Sequence, residues 1–100
     1  MILALLLAIA VPADEFFIVS SVDMSRSRLV LKRPTEVTVL VAISPQTRIV
    51  GERGEKLRPE DLRAGDTVFV VSAPSPSGQL NAISVRRGPM TIEELHRRYR

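Results

Sequence analysis

The sequence has no cysteine and no tryptophan, a single histidine, and only four aromatic residues: Phe16, Phe17, Phe69 and Tyr99. Without cysteine there is no disulfide, no thiol nucleophile, no cysteine metal ligand and no lipid-modified cysteine. The lone His96 lies among charges near the C-terminus, so no imidazole stands ready to activate Ser20, Ser21, Ser72 or Ser77 as a nucleophile. Glu60, Asp61 and Asp66 are close in sequence. They read as the acidic first turn of a helix and a turn residue rather than a catalytic carboxylate pair. The expectation is therefore no catalytic residue, no metal site, no cofactor and no enzyme.

The chain of 100 residues is the size of one domain. Met1–Ala13 carries no charged side chain, and Ile2–Ala10 is a run of Leu, Ile and Ala. Small residues follow at Ala8 and Ala10, and again at Val11 and Ala13. This is the pattern of a secretory signal peptide cleaved after Ala10 or Ala13, although no Lys or Arg precedes the apolar run. A helix of that length reaches only about 18 Å, short of the ~30 Å hydrocarbon core, so no stable membrane span is expected after processing. The chain is read as exported, periplasmic or secreted.

Two-residue alternation dominates the rest. Glu15–Val22 is an aromatic and β-branched strand, Asp23–Ser27 a polar turn, and Arg28–Lys32 a strand with Leu29 and Leu31 on one face. Pro34 interrupts, since it cannot donate to a ladder. Val37–Ile43 and Thr47–Val50 are the next strands. The Gly51–Lys56 loop is glycine-containing but lacks the Gly-Lys-Ser/Thr ending of a phosphate loop. Pro59–Ala64 predicts a helical turn stopped at Gly65. Thr67–Ser72 and Leu80–Arg86 predict strands joined through Ala73–Gly78. Thr91 and Glu94 form a capping-box pattern opening a short helix with Ile92, Leu95 and Tyr99 on one face. Such a helix is too short to stand alone, so that face is expected to dock, either on the barrel or on a partner.

These elements predict an all-β fold: a small five- to six-stranded, partly open OB-like barrel over 14–87, with a basic amphipathic C-terminal helix over 88–100. The expected core is Phe17, Val19, Val22, Leu29, Leu31, Val37, Val39, Val41, Ile43, Ile49, Leu62, Val68, Val70, Ile83 and Val85. Burying both Val19 and Val22, which differ in parity, requires a bulge or twist in the first strand.

The chain resembles a family of bacterial exported small β-barrel domains of uncharacterised function. The residues that carry the resemblance are Val22-Asp23, Thr47-Arg48-Ile49, the Pro59–Val70 stretch with Leu62, Gly65, Asp66, Val68 and Val70, and then Ala82 and Val85. The family pattern is structural, so the resemblance implies a fold and an export context. It departs at the first strand, where Phe16-Phe17 stands in place of an early glycine. More loosely, the chain is similar to the periplasmic copper- and silver-binding small barrels. Those set His, Met and Trp on one barrel face, which this sequence does not reproduce.

Two functional classes remain. The first is a non-catalytic interaction or scaffold module that binds an unknown protein or cell-envelope component. If Val37, Val39, Val41, Val68 and Val70 point inward, Leu40, Phe69 and Val71 point outward. With Ile92, Leu95 and Tyr99 they would form an apolar contact patch. The second is binding of a polyanion (nucleic acid, anionic lipid or acidic glycan) through Arg86, Arg87, Arg97, Arg98 and Arg100. Acids and bases balance from Asp14 to Val85, so the whole net charge of +3 lies in the tail. Nucleic acid is not the first choice, because the aromatics are few and mostly expected inside.

Overall fold

The computed structural model describes residues 14–98. The proposed leader, its cleavage sites, Tyr99 and Arg100 lie outside the described residues. Six strands form: β1 (Glu15–Asp23), β2 (Arg28–Lys32), β3 (Thr38–Ala42), β4 (Arg48–Val50), β5 (Thr67–Pro74) and β6 (Leu80–Arg87). One α-helix, α1 (Ile92–Arg98), follows. The sheet runs β3-β2-β1-β5-β6-β4, and β3 pairs back in parallel with β6 at Val41–Leu80 and Ala42–Asn81. Five strands thus close into a barrel, and β4 lies along β6 as an added parallel strand. Closure removes most of the open edge that an unpaired sheet would present. Among the described residues no helix is long and apolar enough to cross a membrane.

The core is the expected alternation brought to one side. Phe17, Val19, Leu29, Leu31, Val41, Ile43, Ile49, Leu62, Val68, Val70 and Val85 are buried, with Val22 and Val39 partly buried against them. The bulge in β1 falls between Val19 and Ser21, leaving Ser20 unpaired and changing the parity of the strand. Its backbone is held from outside: the Val19 N–H donates to Asp66 O, and the Gly65 N–H donates to Val19 O, both at 2.8 Å. Gly65 reaches that position with φ +93°, a conformation glycine adopts without penalty. The Gly65-Asp66 pair is therefore a clasp on the β1 bulge as well as the start of β5.

Two expected core residues are not core. Val37 is 48% exposed because β3 begins only at Thr38, beyond which the chain leaves the sheet. Ile83 is 48% exposed because β6 is bulged. Ser84 faces Val71 and Ala82 faces Ser72, so Ile83 is the extra residue and the buried position passes to Ala82. The helical turn is shorter than expected, a 3-10 turn over Pro59–Asp61. The β5–β6 hairpin is longer, with pairing extended to Pro74–Leu80.

Candidate functional site

The strand register sets out the outer face of β4, β6 and β5 row by row. Arg48 lies beside Ser84, and Ser84 beside Val71. In the next row Val50 lies beside Arg86, Arg86 beside Phe69, and Phe69 beside Phe16 on β1. Their strand neighbours Ile49, Val85, Val70, Val68 and Phe17 fill the core, so these two rows face outward. They line an open cleft of about 340 Å³ bounded by the Gly51–Gly54 loop and Asp14.

Phe69 corrects the expected contact patch. It points away from the barrel interior, yet it is only 1% exposed. Phe16 meets its ring edge-on at 5.4 Å, and the guanidinium groups of Arg86 and Arg98 lie over it at 4.3 and 5.1 Å. Two cations over one ring are favourable because the aromatic face is negative. Leu40 is 46% exposed, Ile92 72% exposed and Leu95 exposed, while Val71 is half-buried. The apolar face of α1 therefore does not dock through Ile92 and Leu95. The helix is held through its polar end: Arg98 donates to the Asp14 carbonyl at 3.1 Å and to its carboxylate at 2.9 Å. Thr91 caps the other end, its hydroxyl accepting from the Glu94 N–H at 3.1 Å.

The tail arginines are placed as follows. Arg86 lies 3.9 Å from the Asp14 carboxylate. Arg87 lies 3.6 Å from the Asp66 carboxylate and donates to the Asp61 carbonyl at 3.1 Å. Arg98 pairs with both Asp14 and Glu94. Arg97 is exposed on α1. Folding thus brings three of the tail cations, Arg86, Arg87 and Arg98, onto Asp14 and Asp66.

A second cleft, also about 340 Å³, opens at the barrel end where the β1–β2 turn, the β3–β4 loop and the segment before the 3-10 turn meet. Its walls are mostly apolar, with Met24, Ile43, Pro45, Ile49, Leu57 and Pro59. Thr47 braces the β3–β4 side: its hydroxyl donates to the Ala82 carbonyl at 2.8 Å and accepts from the Ser44 N–H at 3.0 Å. On the opposite side Asp61 accepts from the Arg58 N–H, which together with the Arg58 guanidinium holds its carboxyl below the usual range. Sequence reasoning missed this cleft, because its residues come from three separate loops with no shared period. Met24 and the apolar Leu57 before Pro59 were the available signals.

Among the described residues no group of His, Asp or Glu side chains is placed to hold a metal ion. His96 is exposed on α1, whereas Met24 lies in the β1–β2 turn.

The architecture is that of a small OB-like barrel. A solved structure with the same fold is a CusF variant from Escherichia coli in its Cu(II) form, with TM-score 0.57 and 15% identity over 80% of this chain and 98% of that one. No family model and no curated protein sequence matches the chain.

Proposed function

We propose that this protein is an exported, non-catalytic binding module for a protein or other cell-envelope component, and that the barrel-end cleft receives an apolar side chain of that partner. The carrying observation is the cleft itself, a concave apolar surface with a few polar groups at its rim. Loops on a rigid barrel can shape themselves to a partner without disturbing the core. The CusF structure supports the reading at the level of the fold, as a barrel of this kind that carries a ligand, Cu(II). Copper is not carried over: among the described residues Met24 lies in the β1–β2 turn, Met90 before α1 and His96 exposed on α1. The polyanion reading has less support, because Arg86, Arg87 and Arg98 are engaged with Asp14, Asp66 and Phe69.

The test is site-specific photocrosslinking in the cell envelope, with the photoreactive side chain at Met24 and a control at the exposed Thr35. A discrete adduct at position 24 that is lost on Leu57→Arg supports the proposal. Equal labelling at both positions, or none at position 24, refutes it. N-terminal sequencing of the product from the envelope fraction tests export, with Val11 or Asp14 expected as the first residue.

A further inference from the structure

We infer that the outer cleft over β4, β6 and β5 is a second binding site, for a small monocarboxylate with an apolar body. This site is independent of the barrel-end cleft. Three arginines converge on this face, and two are committed: Arg86 and Arg98 share the carboxylate of Asp14 and cover Phe69. Arg48 has no ion pair among the described residues. It stands exposed on β4, beside Ser84 in the sheet register.

A guanidinium and a neighbouring hydroxyl are the donor set that a carboxylate takes, the first giving two parallel N–H donors and the second one more. The apolar part of the lining comes from Val71, beside Ser84 in the register, with Val50 and Phe69 in the next row on either side of Arg86. The site thus offers one charged anchor and one greasy wall.

The charge at the rim sets the class of ligand. Two carboxylates line the same cleft, Glu52 and the Asp14 already shared by Arg86 and Arg98, so a ligand with several negative charges meets more repulsion there than one with a single carboxylate. The volume of about 340 Å³ is at the small end of the roughly 300–1,000 Å³ typical of ligand sites. A compact ligand in an open cleft implies a dissociation constant on the order of a millimolar.

The experiment is an NMR titration of the isotope-labelled protein with 3-phenylpropanoate, and with its uncharged amide as the isostere. Saturable shifts are expected at the amides of Val50, Val71 and Ser84. Arg48→Gln should weaken binding about tenfold or more while leaving the rest of the spectrum in place, and the amide should bind comparably weakly. A second variant, Val71→Ala, should weaken binding through the wall without changing the charge around the anchor. Absence of saturation into the tens of millimolar range, shifts confined to the barrel-end cleft, or affinity undiminished by Arg48→Gln would each overturn the proposal.

Discussion

Replacing Phe69 by alanine removes an aromatic ring that alternation puts on the outside of the barrel and that the structure nonetheless buries to 1% exposure. A phenylalanine ring buries about 150–250 Å², and at ~25 cal/mol/Å² that is roughly 4–6 kcal/mol as an upper bound. Measured large-to-small changes of this kind fall at about 3–5 kcal/mol. Leu40 also points outward on the same sheet but is 46% exposed, so Leu40→Ala should cost about 1 kcal/mol or less. Urea unfolding reads the difference. With a slope typical of a small domain, Phe69→Ala moves the midpoint by roughly 2 M and Leu40→Ala by less than 1 M. Arg98→Ala strips one of the covering guanidinium groups and should fall between, at about 1–2 kcal/mol. That figure combines ~0.5–1 for the cation–ring contact with a share for the Asp14 pair that solvent exposure holds to ~1 or less. Equal midpoints for Phe69→Ala and Leu40→Ala would refute the claim that the outer face carries a second, arginine-roofed patch of core.

Gly65→Ala should lower stability by about 1–2 kcal/mol, because φ +93° is costly for any residue with a Cβ; melting should fall by roughly 4–8 °C per kcal/mol. Ile92→Ser and Leu95→Ser should leave melting unchanged within ~0.5 kcal/mol, since both side chains are exposed on α1. A clear loss would mean that the helix docks through its apolar face after all. Acid should loosen three turns first. Asp23 is held below its ordinary value by the Ser25 hydroxyl, Glu55 by the backbone N–H groups of Glu55 and Arg53, and Asp61 by Arg58. Their contribution is fully present above the unfolded values near ~4 and is lost as pH falls through the lower folded values. Amide exchange measured from about pH 5 down to 2 should show the 23–26, 51–55 and 58–61 segments opening before β1 and β5; simultaneous opening would contradict this.

The strands were legible because each carries its own period. Leu29 and Leu31, Val39 and Val41, and Val68 and Val70 declare an inner face without reference to any other element. The β1 bulge was legible from a conflict of parity between Val19 and Val22. The β6 bulge was not, because Ala82 and Ile83 are adjacent and a larger apolar residue is the natural choice for the core. Phe69 was given its outward direction, but its burial was not legible, for a different reason. Parity gives direction only, and what covers an outward residue comes from residues far away in sequence, here Phe16, Arg86 and Arg98. The same is true of charge. Counted along the chain, the tail holds all of the net +3. Folding sets Arg86 and Arg98 on Asp14 and Arg87 on Asp66, so a segmental excess is spread over acids that precede it by 21–84 residues.

The two clefts differ in a way that bears on what each can hold. The outer cleft has its floor on paired strands: Ser84 and Val71 sit on β6 and β5 of the closed barrel, and Arg48 is set beside Ser84 by the β4–β6 pairing. A rigid floor with one charged anchor selects by shape and charge, which suits a small ligand. The barrel-end cleft is walled by three loops whose local bonds are exposed, as in Ser44–Thr47 and Arg58–Asp61. Such loops can open at little cost to the core and repack around a larger surface. The two proposed sites therefore differ in the mechanical character of their walls, with Ile49 and Arg48, adjacent on β4, turned to opposite sides. A ligand on Arg48 and a partner against Ile49 should then bind without competition, and measured coupling between them would have to travel through that one short strand.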